Sequence, residues 1–256
     1  MLASPNYKSI LGQTKIHLSS VDSTNNYAAN MLKEGLIKHG TVILADEQTN
    51  GRGQRGSVWQ SEPGMNLQMS LILTFKNLNI VDQRFINSFI SVATVKFLER
   101  FGVKAKIKWP NDILVDDKKI AGILIENQLN KQQISSTIIG IGLNVNQVNF
   151  GDLLATSLKN ERGSFVSIAE ALDSLLLQLN VYFDKFQKNR YSELEKLYFD
   201  YLWGFQKVRR FKDKNGIFNG TITGISESGL LIIQTNEGEK EYDIKEVNFL
   251  LEEQKD

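Results

Sequence analysis

The chain reads as a mixed α/β domain, a sheet flanked by helices, followed by a small C-terminal β-barrel. Three observations predict this. Met65, Leu67, Met69, Leu71, Leu73 and Phe75 alternate with mostly polar neighbours, the period-two mark of a strand with one buried face. Apolar residues recur at helical spacing in two long segments: 82–101, with Ile86, Ile90, Ala93 and Phe97, and 167–188, with Ile168, Leu172, Leu175, Leu179, Phe183 and Phe186. From Gln206 the texture changes, and short strand-like runs alternate with the turn signals Asp213-Lys214-Asn215-Gly216, Glu227-Ser228-Gly229 and Asn236-Glu237-Gly238. That pattern predicts a separate barrel of about five strands. The boundary is set near Gly204, giving units 1–204 and 205–256.

Taken in order, Lys15-Ile16-His17-Leu18 predicts a short strand. Asp22-Ser23-Thr24 is good N-cap chemistry. A helix should follow, with Tyr27, Ala28, Met31 and Leu32 on one face and Gly35 as its stop. Ser23, Thr24 and Asn25 exceed what one cap needs, so capping and contact with a polar ligand both account for them. Residues 41–45 form a strand that leads into Gln48-Thr49-Asn50-Gly51-Arg52-Gly53-Gln54-Arg55-Gly56-Ser57-Val58-Trp59. Gly51, Gly53 and Gly56 permit close backbone approach. Arg52 and Arg55 bring planar charged forks suited to carboxylate or phosphate, and Trp59 adds an aromatic face. The loop suits an anionic ligand with a flat ring; a mobile surface loop with solvated arginines is the plainer alternative.

Further on, Pro110 interrupts the strand expected over residues 105–115, because proline lacks a donor and forces Trp109 to be extended. Asp116-Asp117-Lys118 turns the chain into a second strand, 119–126, so one hairpin carries Lys108 and Asp112 on one arm and Lys119 on the other. A strand over 134–144 contains Gly140 and Gly142, which suggest close backbone approach or a bulge. Residues 156–163 read as a loop, and 191–203 as a shorter helix.

Composition narrows the function classes. The 256 residues are 41% hydrophobic and 23% charged, and net charge is +1. No global field would draw in nucleic acid or an anionic membrane. The chain has no cysteine and two histidines, His17 and His39, which excludes disulfides and thiolate chemistry and argues against a histidine metal site or triad. No signal pattern or membrane-length apolar run is present, so a cytoplasmic protein is expected. The remaining motifs sit at element termini, where ligands bind on rigid sheets. They offer cations, oriented amides and Asp112 for a magnesium ion, without a protein nucleophile. That chemistry is phosphoryl or adenylyl transfer.

Five motifs in order, Ser23-Thr24-Asn25, Gly51-Arg52-Gly53-Gln54-Arg55-Gly56 with Trp59, Lys108-Trp109-Pro110-Asn111-Asp112, Lys119-Ile120-Ala121-Gly122-Ile123-Leu124 and Gly142-Leu143-Asn144, resemble those of the biotin–protein ligases over essentially the whole chain. The resemblance implies a catalytic sheet related to class II aminoacyl-tRNA synthetases and an SH3-like C-terminal domain. It implies a reaction of biotin with ATP, assisted by Mg2+, to biotinyl-5′-adenylate, then transfer to a lysine of a biotin carboxyl carrier protein. Ser23, Thr24, Asn25 and Gln48 would hold the ureido ring. Arg52, with Gly51, Gly53 and Gln54 of its loop, and Lys119 would meet the carboxylate and then the phosphate. Gly122 would help floor the slot for the apolar chain. Arg55, Trp59, Lys108, Asn111, Asp112 and Asn144 would serve the nucleotide, with Asp112 on the metal. Core packing for Trp59 and a solvated strand end for Lys108 remain alternatives. Bifunctional members begin with a DNA-binding unit; here the first motif arrives at Ser23, so a monofunctional type without DNA binding is expected, and a homodimer is compatible with it. Many members carry a second arginine where this chain has Gln54, which removes one charge from the loop. The rival readings are a lipoate–protein ligase, an RNA-binding protein and a non-catalytic partner-binding scaffold.

Overall fold

The computed structural model describes residues 10–250; the extreme N-terminus, read above for a targeting signal, lies outside them. A seven-stranded mixed sheet is built from β1 (Lys15–Val21), β2 (Val42–Gln48), β3 (Leu67–Asn79), β4 (Lys106–Lys108), β5 (Asp112–Val115), β6 (Lys118–Asn130) and β7 (Gln133–Leu143), in the order β1-β2-β3-β7-β6-β5-β4. Only β1 and β2 run parallel; every other neighbour is antiparallel. The helices are α1 (Thr24–Lys33), α2 (Gln83–Arg100), α3 (Leu158–Arg162), α4 (Ile168–Gln187) and α5 (Tyr191–Tyr201). Strands β8 (Val208–Asp213), β9 (Gly216–Ile225), β10 (Leu231–Thr235), β11 (Gly238–Tyr242) and β12 (Asn248–Phe249) form a separate antiparallel sheet, order β11-β10-β9-β8-β12. Five strands after Gln206 match the expectation.

The large sheet has a helix-covered face on each side. On one, Leu71, Leu73, Ile139 and Ile141 share a core with Ile86, Phe89 and Ile90 of α2 and Leu175, Leu179 and Phe183 of α4. α2 is buried around most of its circumference, wider than the stripe its periodicity predicts, because α4 and α5 close over it. On the other face, Ile43, Ile72 and Ile138 pack under Ala28, with Tyr27 and Leu32 beside it. This second cover corrects the reading of β3 as a strand with one buried face: all residues from Leu67 to Leu73 are buried. Gln68 and Ser70 are buried although polar, because Gln48 and the first residues of α1 cover and hydrogen-bond them.

Local signals act as expected in several places. Gly35, at φ 69, ends α1, and Gly102, at φ 77, follows α2. The stretch read as a loop at 156–163 contains α3. Ser157 caps it by accepting from the Asn160 N–H at 3.2 Å, and Gly163 ends it at φ 71. Both cap signals were in the sequence, but five residues carry too little periodicity to show a helix. Among the described residues, no helix is long and apolar enough to cross a membrane.

Candidate active site

Strand register builds the floor of the main pocket. Asp112 pairs with Gly122, Gly122 with Gly142, and Gly142 with Gln68, one row across four strands. The next row is Leu124, Gly140 and Ser70, and the next Glu126, Ile138 and Ile72. Residues two apart on a strand share a face, so these rows all look towards α1. The third row lies under the body of α1; the two glycine rows lie beyond its N-terminus, against Asn25 and Trp59. The cavity there, about 310 Å³, is lined by α1's first residues, the glycine loop, the hairpin of β5 and β6, and residues 244–249 of the C-terminal unit. That volume is at the small end of the range for small-molecule sites.

The helix start forms one hydrogen-bonded cluster. Ser23, Thr24 and Asn25 are all buried. Ser23 occupies the N-cap position but makes no side-chain cap bond, so its hydroxyl is not spent on the helix. Gln48 Oε1 accepts from the Thr24 N–H at 2.8 Å and from its hydroxyl at 3.1 Å, and Gln48 Nε2 donates to Gln68 at 2.9 Å. The Ser70 hydroxyl lies 2.7 Å from Thr24 Oγ1 and 2.6 Å from Asn25 Oδ1. Hydroxyls and amides held rigidly in this way suit a neutral ring with both N–H and C=O groups.

The glycine loop folds back on itself. Arg52 bridges Val58, and the Gly53 N–H donates to Ser57 O at 2.7 Å and the Trp59 N–H to Gly51 O at 3.0 Å. A Cβ on Gly51 would fall 2.4 Å from the Trp59 carbonyl oxygen, so only glycine fits there. Arg52 and Arg55 diverge. Arg52 pairs with Glu126 at 2.7 Å. Arg55, in the left-handed region at φ 48, pairs with Asp243 at 2.6 Å and donates to Ile244 O, while Lys245 donates to Arg55 O at 2.9 Å. Arg55 therefore clamps the loop to the C-terminal unit and is not among the residues that line the pocket. Gln54, Gly53 and Arg52 do line it.

Trp59 lies on the glycine floor. A Cβ on Gly142 would stand 2.4 Å from its ring, and one on Gly122 would crowd both that ring and Lys119; Gly140 makes the same room for Asn25. The glycines leave space as expected, and in this structure protein groups fill it. The Trp59 Nε1–H is buried without a hydrogen-bond partner in this structure.

At the hairpin end, Lys119 Nζ lies 2.6 Å from Asp112 and 5.5 Å from the centre of the Trp59 ring. Lys108 Nζ sits over the Phe249 ring of the C-terminal unit. Burial lowers its pKa from the usual lysine value; Asp112 pulls it back up and Lys119 pushes it further down. The Asn111 Nδ2 donates to Ile123 O across the hairpin, and Asn111 lines the pocket. Asn144 does not. It is buried and donates to Thr156 O at 3.0 Å and towards Lys119 O at 3.4 Å. In this structure it fixes the segment before α3 against the start of β6. Sequence reasoning missed Glu126, Ser70 and Gln68. Strand parity from Gly122 would have found Glu126, and the alternation of β3 would have found the other two.

A mixed sheet with a glycine floor, an amide and hydroxyl cluster at one side and cations at both ends defines a pocket for a small molecule that carries both a polar ring and an anion. The comparisons give that class a family. Residues 18–144 match the biotin/lipoate A/B protein ligase family, and residues 210–249 match the biotin protein ligase C-terminal domain. The bifunctional ligase/repressor BirA of Bacillus subtilis (strain 168) is 35% identical over 237 residues, 90% of this chain and 72% of that protein. The biotin–[acetyl-CoA-carboxylase] ligase of Paracoccus denitrificans is 32% identical over 170 residues, 62% of this chain and 68% of that protein. Among solved structures, the biotin protein ligase of Aquifex aeolicus in complex with biotin and ATP superposes with a TM-score of 0.75 at 29% identity, covering 94% of this chain and all of that one. The chain belongs to the biotin protein ligase family.

Proposed function

We infer that the protein activates biotin with ATP and passes the biotinyl group to a lysine of a biotin carboxyl carrier domain. In the first step a biotin carboxylate oxygen attacks the α-phosphorus, and the bond to pyrophosphate breaks. In the second the acceptor amine attacks the carbonyl carbon, loses its proton and expels AMP. The observation that carries this reading is one pocket holding the cluster around Ser23, Thr24, Asn25 and Gln48 together with Arg52 and Lys119. The cluster fits a ureido ring. The two cations fit the place where carboxylate meets triphosphate, since they offset the repulsion of two anions and the charge that builds in the transition state. Trp59, Lys108 and Asn111 complete the nucleotide end. Arg52 lies at the loop end and Lys119 at the hairpin end of the same pocket.

Magnesium asks for one or two carboxylates, with phosphates and water supplying the rest. Among the described residues no group of three or more His, Cys, Asp or Glu gathers, and Asp112 lines the pocket at the hairpin end. That donor set fits a metal brought in by a triphosphate. Asp112 would hold it, and Lys119 would turn to the substrate oxygens.

The division into units 1–204 and 205–256 is part of the same proposal: Gly204, at φ 71, falls between α5 and β8. The lipoate reading lacks support from the C-terminal match, and RNA binding lacks a basic stripe. Biotin-dependent ATP–pyrophosphate exchange, followed by labelling of a carrier domain, is the test. Exchange driven by lipoate and not by biotin, or no exchange at all, would overturn the reading.

A further inference from the structure

Beside the pocket, bonded to two residues that line it, stands one carboxylate that the reading above does not use. Glu126 stands on β6 two residues after Leu124 and four after Gly122, on the pocket face. Its Oε1 accepts from Arg52 Nη2 at 2.7 Å. Its Oε2 accepts from Asn25 Nδ2 at 2.7 Å and lies 3.5 Å from Arg52 Nη1. Arg52 Nη1 also donates to Asn26 Oδ1 at 2.6 Å, and Asn26 in turn donates to Asp22 at 2.6 Å. One carboxylate thus ties the start of α1 to the glycine loop.

The geometry of the guanidinium gives this tie a direction. Arginine offers five N–H donors in a flat fork. Glu126 and Asn26 take the Nη tips. The remaining edge, Nε–H with the second Nη2 hydrogen, is the edge that grips an oxyanion with two parallel bonds. Asn25, held by the other oxygen of the same carboxylate, is fixed from its far side by Ser70. An anion beside Arg52 would do better electrostatically without Glu126, because the pair carries no net charge. What Glu126 supplies is aim.

We propose that Glu126 is a positioning residue for biotin activation: it locks Arg52 to Asn25, so that the group facing the carboxylate and the group facing the ring act as one rigid unit. The proposal rests on the biotin-activating reading of the pocket. Its consequence is specific. Removing Glu126 loosens biotin more than ATP, and it does so through Arg52.

Biotin affinity by titration calorimetry, KM for biotin and for ATP in the exchange assay, and thermal unfolding are measured for wild type, Glu126→Gln, Glu126→Ala, Arg52→Ala and the double variant Arg52→Ala/Glu126→Ala. Glu126→Ala is expected to weaken biotin about 10- to 100-fold, the range for a lost hydrogen bond to a charged group, with KM for ATP near wild type. Glu126→Gln, which keeps the shape and one acceptor, is expected to fall between; it also carries the test if the alanine variant does not fold. In the Arg52→Ala background the loss of Glu126 is expected to cost clearly less, since residues acting through one another are not additive. Tighter biotin binding by Glu126→Gln would overturn the proposal and make the carboxylate a competing counter-ion. So would equal losses with and without Arg52, or unchanged biotin affinity in an enzyme whose wild type exchanges normally. A wild type without biotin-dependent exchange would instead sink the reading of the pocket itself.

Discussion

At each end of the pocket a cation meets a carboxylate, Arg52 with Glu126 at 2.7 Å and Lys119 with Asp112 at 2.6 Å, yet the two ends are built differently. Arg52 sits on a loop, and fixed partners on α1 and β6 grip its guanidinium at two points. Its charge is cancelled and its orientation is set. Lys119 sits on a strand whose backbone is held on both sides: its N–H donates to Leu154 O and its carbonyl accepts from Thr156. Its ammonium has a single carboxylate, and Lys108 stands near enough for the two lysines to oppose each other's charge. Asp112 and Asp117 both act on this pair of lysines, so the hairpin end is a mixed cluster of charges. At one end a single cation is held by fixed partners; at the other several charges share a strand hairpin.

The largest expected effect comes from breaking the oriented end. Arg52→Ala is predicted to reduce exchange activity by about a hundredfold or more, the size of loss seen when a preorganised transition-state donor is removed. Because Arg52 has no part in the apolar core, its melting temperature should stay close to wild type. Near-normal exchange would show that orientation at this end does not matter to the chemistry.

Breaking the charged end should discriminate between half-reactions. Lys119→Ala is predicted to harm adenylate formation on the order of tenfold more than transfer from supplied biotinyl-adenylate. On the proposed role, Lys119 meets a carboxylate whose full charge exists only before activation. Single-turnover rates of the two steps, measured separately, decide this; equal losses in both would contradict it.

The same end should carry a pH signature. Burial favours the neutral form of Lys108, so it discharges at a lower pH than an exposed lysine. As pH rises through that lowered pKa, ATP binding should weaken earlier than ordinary lysine titration would predict. Folding responds in the opposite sense: across that window the unfolded chain binds more protons, so stability rises with pH. Lys108→Arg, charged at every accessible pH, should extend ATP affinity to more alkaline conditions. ATP titrations from neutral to alkaline pH test this, and identical profiles for the two proteins would remove Lys108 from the nucleotide end.

The smallest effect sharpens the loop. Gln54 lines the pocket and Arg55 does not, so the loop brings Arg52 but no second arginine to the cavity. Gln54→Arg is predicted to slow release of biotinyl-adenylate by about two- to fivefold, the scale of one partly exposed charge contact. A stopped-flow chase measures it, and an unchanged rate would place the position 54 side chain away from the ligand.

Much of this site was legible in the residues themselves. Ser23, Thr24, Asn25, Gln48, Arg52, Gly53, Gln54, Trp59, Lys108, Asn111, Asp112, Lys119 and Gly122 all line one cavity. Glycine, proline, cap and charge signals act within a few residues, and strand alternation tells which neighbours share a face, so the sequence by itself determined the elements, their faces and the chemistry they carry. Only the tertiary structure decided pairings across long separations. Residues 52 and 126, 55 and 243, and 144 and 156 meet because sheet order and domain packing bring them together, and no local pattern encodes such distances. The same packing separated like residues. It paired Arg55 with Asp243 and set Asn144 against Thr156, because a side chain's partners follow from what geometry puts within reach of it.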